Sequence, residues 1–247
     1  MSATPLRLAV WSGPRNISTA MMRSWENRPD CAVIDEPFYA HYLLETRTSH
    51  PGRDEVIRVG ELDWRRVVGV LEGPVPGGRE IFYQKHMTHH MLPHIRRDFM
   101  RGMTNVFLIR DPRDVVASYA KARPNTAIAA KDIGIPQEEQ LIEFVREVTG
   151  ADPLIIDTGE FLKDPEAHLR AWCSRLSIPY LSDMLHWPAG PRRTDGVWAP
   201  YWYDAVVAST GFEPHQERDH HVAPEHAALV AQCMPHYEAL FAKRLVP

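Results

Sequence analysis

The segment WSGPRNISTAMMRSW, Trp11 to Trp25, sets an arginine, Arg15, at the tip of a Gly-Pro turn and follows it with Asn16 and two hydroxyls, Ser18 and Thr19. A strand feeding such a turn and then a helix aims several backbone N–H groups and a helix N-terminus at one point, a geometry that suits phosphate or sulfate. Arg15 adds a fixed positive charge, and the polar side chains add further hydrogen-bonding groups. The same residues also fit an ordinary strand-to-helix turn with a serine cap. An ATP-binding Walker loop needs lysine directly before the hydroxyl residue, to reach the terminal phosphates. Ile17 stands there instead, so a kinase loop is poorly matched and a loop for a single 5′ anion remains.

A second anion site is legible in NVFLIRDPRDVVASY, Asn105 to Tyr119. Arg110 follows a short apolar strand, and Ser118 lies on the helix after it, about two turns on. Ligands gather at the carboxyl ends of parallel strands, which puts Arg110 and Arg15 on one sheet edge. The alternative is that Asp111, Arg113 and Asp114 form a solvated cap while Ser118 only packs.

Two stretches offer acid–base chemistry. In VIDEPFYAHYL, Glu36 emerges from a short strand, and burial beside Phe38 and Tyr39 would raise its pKa toward the range a general base needs. Capping of the next helix, with Pro37 at its first position, is the competing role for Asp35 or Glu36. In YQKHMTHHMLP, Lys85 and His86 end another strand, with His89 and His90 beyond. Three histidines so close raise the question of a metal, yet no carboxylate or cysteine nearby completes a ligand set, and helix-end packing fits each histidine as well.

The elements that must position these residues follow from the hydropathy pattern. Brief apolar runs at Leu6–Trp11, Ala32–Asp35, Ile81–Lys85, Asn105–Ile109 and Pro153–Asp157 alternate with amphipathic stretches at Ser18–Asn27, Thr88–Met100, Pro112–Ala122, Gln137–Val148 and Glu166–Leu176. That alternation predicts an α/β fold, three layers around a central, mostly parallel sheet. Residues 46–60 read as a loop, a helix follows near 62–71, and 73–78 read as a turn-rich connector. From Trp187 to about residue 222 the mixture of Gly, Pro, Arg and aromatics predicts a long, lid-like irregular loop. A helix over 224–243 closes the chain.

With 247 residues the whole chain, 1–247, reads as one domain that buries roughly 70–75% of its unfolded surface. A net charge of −4 argues against a nucleic-acid or membrane-surface binder and requires any anion site to be focused. Cys31, Cys173 and Cys233 show neither zinc nor disulfide spacing, and no segment has the length and apolarity of a membrane span or a leader, so a cytoplasmic enzyme is expected. His220 and His221 sit in a polar, surface-like stretch. Oligomeric state is not legible.

These motifs resemble the sulfotransferases that use 3′-phosphoadenosine 5′-phosphosulfate (PAPS). GPRNIST is similar to their 5′-phosphosulfate loop, with Asn16 and Ile17 in place of the usual Ser-Gly. RDPRDVVASY is similar to their 3′-phosphate motif, including the Arg-to-Ser interval, and Ile156–Tyr180 is similar to the strand and helix that follow. The resemblance implies a P-loop-like fold, PAPS as donor, a small-molecule acceptor and no metal. It implies Arg15 beside the leaving group, Ser18 and Thr19 on the 5′-phosphate, and Arg110 and Ser118 on the 3′-phosphate. Glu36 is the expected base, since family members use a histidine or a glutamate, with Lys85 near the transferred group and His86 as second candidate. The family's Arg-Lys-Gly loop is absent, and Arg192 and Arg193 are expected to supply the further grip on the 3′-phosphate, while Trp198, Trp202 and Tyr203 either wall the acceptor or seal the core. A metabolite kinase, or a silent nucleotide-binding module that recruits a partner, are the alternatives.

Overall fold

The computed structural model describes residues 4–123, 127–214 and 222–247. Five strands, β1 (Leu6–Ser12), β2 (Cys31–Asp35), β3 (Ile81–Met87), β4 (Thr104–Ile109) and β5 (Leu154–Asp157), form one sheet in the order β2-β3-β1-β4-β5. Every pairing is parallel, with Leu6 opposite Ile81, Leu8 opposite Thr104, Cys31 opposite Ile81 and Val106 opposite Leu154.

Strand side chains alternate between the two faces, and the core divides accordingly. Leu8, Val10, Val106, Leu108 and Ile156 pack on one side with α1 (Ser18–Glu26) and a later helix through Met21, Met22, Trp25, Leu169 and Trp172. Ala9, Trp11, Phe107, Ile109 and Ile155 pack on the other side with Val67, Leu71, Leu141, Ile142, Val145 and Leu240. A parallel sheet covered on both faces makes the strands continuous apolar runs, which is why they were legible without periodicity.

The remaining helices are α2 (Tyr39–Thr46), α3 (Arg53–Val59), α4 (Trp64–Glu72), α5 (Pro112–Ala122), α6 (Ile135–Thr149), α7 (Thr158–Lys163), α8 (Pro165–Arg175), α9 (Ala199–Trp202), α10 (Asp204–Ala208) and α11 (Ala227–Phe241). Three expectations are corrected. The helix predicted over Thr88–Met100 is two short 3₁₀ turns, Thr88–His90 and Asp98–Gly102. Pro93 lacks a donor and forces the residue before it out of the helical region, so the chain cannot coil through. The loop predicted over 46–60 contains α3, entered through Gly52 in the left-handed region (φ 72°) and stabilised by Asp54 and Glu55 in its first turn. The lid-like stretch after Trp187 is irregular to residue 198 and then folds into α9 and α10.

Candidate active site

The turn after β1 is built by close approach rather than by a flexible glycine. A Cβ on Gly13 would lie 2.5 Å from the Ile133 carbonyl oxygen, so only glycine fits there. Arg15, two residues on, takes the left-handed conformation (φ 59°), a cost of order 1–3 kcal/mol that the surroundings must impose. They do so through Asn16, whose Nδ2 donates to the Leu108 carbonyl at 2.9 Å and whose Oδ1 accepts from Ile17 N at 2.9 Å. Ile17 sits at the helix cap without a side-chain bond, so Ser18 is not spent as a cap. Its side chain and that of Thr19 line the cavity described below.

Arg110 leaves the end of β4 and donates through Nη1 to the Arg15 carbonyl at 2.9 Å. Arg15 Nε donates to Ser118 Oγ at 3.1 Å. Three residues predicted to hold anions, from two distant segments, therefore touch. Burial, and then the charge of Arg110, lowers the Arg15 pKa, so this corner favours an anion. Asp114 offsets part of it through Arg110 Nη2 at 3.3 Å, while Asp111 caps α5 at Arg113 N (2.8 Å) and pairs with the Arg113 side chain.

On the other side of β1, the ends of β2 and β3 carry a buried charged network. The register sets Asp35 opposite Lys85. Lys85 Nζ donates to Asp35 Oδ1 at 2.8 Å, to Glu36 Oε1 at 2.5 Å and to the Tyr203 hydroxyl at 2.8 Å. The Tyr203 hydroxyl donates to Asp35 Oδ2 at 2.7 Å and accepts from Trp198 Nε1 at 2.9 Å. Glu36 is turned back by a positive φ of 41°, with its N–H on the Lys85 carbonyl at 2.9 Å. Burial pulls the Lys85 ammonium down, but Asp35 and Glu36 outweigh it and hold the pKa above the ordinary lysine value. Burial raises Glu36, opposed by Lys85 and reinforced by Asp35. One ammonium thus serves two carboxylates. Asp35, 2% exposed, is bound at both oxygens, whereas Glu36, 11% exposed, is the less enclosed of the two.

Both clusters open onto one cavity of about 350 Å³, lined by Arg15, Ser18, Thr19, Glu36, Lys85, Arg110 and Ser118 among others. Leu162 and Phe212 line it beside Phe161 and Trp187. Tyr39, His50, His89, His90 and Trp202 also line it, with Val206 packed against the same aromatic cluster and Tyr39 stacked on His90 at 4.7 Å.

Four predicted residues are not at the cavity, and one of them, Trp198, is buried behind it with its Nε1 on the Tyr203 hydroxyl. His86 points to the opposite face of the sheet from Lys85, stacks on Trp11 at 4.2 Å and is pushed down to about 3 by burial, so it is a neutral core group. Alternation along β3 separates it from Lys85. Arg192 pairs with Glu26 at 3.5 Å, at the far end of α1 from the anion-binding turn, and Arg193 is exposed. The strap containing them is held there by Asp195, which meets the buried Arg23 at 2.6 Å. His220 and His221 lie outside the described residues. Among the described residues, no three His, Cys, Asp or Glu side chains cluster closely enough to share a metal ion, and no helix is long and apolar enough to cross a membrane.

Comparison with known proteins matches residues 6–244 to the sulfotransferase domain family. The chain belongs to that family. Solved structures agree in fold: the sulfotransferase domain from the curacin biosynthetic pathway (TM-score 0.58, 14% identity, all of both chains) and that from the Synechococcus PCC 7002 olefin synthase (0.60, 15%, 99% of this chain and 98% of that one). Mouse sulfotransferase SULT7A1, solved with PAP (adenosine 3′,5′-bisphosphate), aligns with a TM-score of 0.50 and 14% identity over 98% of this chain and 85% of that one. Two curated relatives from Arabidopsis thaliana, branched-chain-amino-acid aminotransferase-like proteins 2 and 1, are 35% and 34% identical over 94% and 96% of this chain. The chain spans only 40–42% of their length.

Several residues in or beside the cavity of this sulfotransferase domain had little sequence signal for the contacts they make. Asp35 was visible only as a possible helix cap, because its partnership with Lys85 depends on strand register. Tyr203 was read as a wall, and its hydroxyl turns out to join the charged network from 168 residues away. His50 and Arg123 line the cavity from segments that showed no motif.

Proposed function

We propose that this sulfotransferase domain moves a sulfuryl group from PAPS to a hydroxyl or amine of a small-molecule acceptor. The observation that carries the reading is the opening of the Arg15–Arg110–Ser118 corner and of Glu36 onto one cavity. Bringing two arginines together costs Coulomb energy that an anion between them relieves. Three buried free cysteines fit the reducing cytoplasm.

The donor supplies an activated sulfuryl group on a phosphate leaving group. Arg110 and Ser118 hold its 3′-phosphate, Ser18 and Thr19 its 5′-phosphate, and the apolar side chains of Leu162 and Phe212 receive its base. Glu36 accepts the acceptor's proton as the acceptor oxygen or nitrogen forms its bond to sulfur. The bond from sulfur to the bridging phosphate oxygen breaks, and its electron pair stays on that oxygen, where Arg15 meets the developing charge. Products are the sulfated acceptor and PAP, and Glu36 then returns its proton to water. Asp35 is unsuited to this task because Lys85 and Tyr203 occupy both its oxygens. Lys85 fixes Glu36 and sets a second positive charge beside the transferred group.

Incubation with labelled PAPS and an acceptor panel tests the reading. Equal amounts of PAP and sulfated product are expected. Magnesium-dependent ATP binding in place of PAP binding would point to a kinase, and PAP binding with no product from any acceptor would point to a silent module.

A further inference from the structure

The cavity holds a cation that the proposed chemistry does not use. Arg123, the residue just after α5, lines it, and its Nη2 donates to the Ser49 carbonyl at 2.9 Å. A guanidinium has five donors, and among the described residues Arg123 forms no ion pair with a carboxylate. Asp132 acts on the same neighbouring rings, but its Oδ2 accepts from Ala129 N at 2.9 Å and it does not line the cavity. The aromatic rings around Arg123 carry no charge to neutralise it. Burial, and then Arg123 itself, pushes His50 down to about 4, and burial raises the phenols of Tyr39, Tyr42 and Tyr119, so all four are uncharged at neutral pH.

Along the chain Arg123 is set apart from the residues assigned to the donor's anions. Five residues of chain, about 7.5 Å of helical rise, divide it from Ser118. Glu36, Tyr39 and Arg123 line the same cavity, and Tyr39 lies in the fields of both the base and this cation. The Tyr39 hydroxyl is fixed by His50 Nδ1 at 2.9 Å, and the ring stacks on His90, which makes it a rigid wall of the cavity.

Resting on the sulfotransferase reading above, we propose that Arg123 selects an anionic acceptor: a small hydroxy or amino carboxylate that lies along Tyr39, with its carboxylate on Arg123 and its nucleophile at Glu36. Arginine suits this role because its fork matches a carboxylate in two parallel hydrogen bonds. The Tyr39 face suits an acceptor such as a phenol bearing a short acid.

The test uses two matched pairs of acceptors, 4-hydroxyphenylacetate with 4-hydroxyphenylacetamide and 3-hydroxybutyrate with 3-hydroxybutyramide. Each pair keeps the nucleophile and removes the charge. At saturating PAPS the wild type is expected to prefer the carboxylate of at least one pair by about tenfold or more in kcat/KM, the scale of a charged hydrogen bond. Arg123→Gln should abolish that preference through KM with kcat little changed, and Arg123→Lys should keep part of it. Binding of PAP, followed by calorimetry, should change by no more than about twofold in Arg123→Gln, a few tenths of a kcal/mol.

Equal use of carboxylate and amide in both pairs overturns the proposal. So does failure of either carboxylate to react or to bind the PAP complex by ligand-observed NMR, while PAP itself binds; the donor reading then stands alone. A loss of PAP affinity of about tenfold in Arg123→Gln would assign the residue to the donor instead. Absence of PAP binding to the wild type overturns the donor reading and this inference with it.

Discussion

The two charged corners of the cavity are built on opposite electrostatic plans. Around Arg15 and Arg110, positive charge gathers, and Asp114 offsets part of it. Around Lys85 the charges are matched inside the protein, with one ammonium shared by Asp35 and Glu36 and closed over by Tyr203. The first corner is finished only by a ligand. The second is finished by the fold, except for the one carboxylate that the ammonium shares. An anion-binding site and a base site in the same cavity need this contrast, because a free cation beside Glu36 would hold it ionised and weaken it as a base.

Substitutions break or sharpen the contrast. Glu36→Gln removes the surplus carboxylate and should lower the rate of sulfuryl transfer by about 10²–10⁴-fold while PAP affinity stays near that of the wild type. A steady-state assay beside a PAP titration checks it, and a rate within a few-fold of wild type would remove Glu36 from the chemistry. Lys85→Met leaves Asp35 and Glu36 buried without their cation, so denaturant melts should show a loss of about 3–5 kcal/mol. An unchanged melt would mean that the network does not hold the fold.

The pH profile follows from the raised Glu36 pKa. The group must be ionised to take a proton, so kcat should fall as pH drops through a midpoint above the usual glutamate range, and Glu36→Gln should lack that limb. Tyr203→Phe deletes one neutral hydrogen-bonding group from the network and should cost about 1 kcal/mol in the same melts. Arg193→Ala, on the exposed strap, should change neither PAP affinity nor stability by more than about 0.5 kcal/mol.

The same contrast explains what the sequence made legible. The donor corner is encoded locally: a strand, a turn and a helix start for Arg15, and again for Arg110, so type and spacing suffice to place both on one edge. The base corner is assembled from distant parts. Glu36 and Lys85 could be placed at strand ends, but their contact requires knowing that β2 lies beside β3 in one register. Tyr203 arrives on a segment with no periodicity at all. His86 was misplaced because a strand end offers two faces and residue type does not say which faces the cavity. Arg192 and Arg193 were misplaced because a basic pair in an irregular loop carries no direction, and Glu26 and Asp195 decide it. Pro93 was the available signal against a helix over 88–100, and it was outweighed by the apolar pattern.

The most direct test of the account is a calorimetric titration of the wild type, Arg15→Ala and Arg110→Ala with PAP. If two segments build one donor site, the wild type binds a single equivalent, and each variant loses affinity by about tenfold or more. Wild-type protein that takes up no PAP, or variants that bind it as tightly as the wild type, would contradict the shared site.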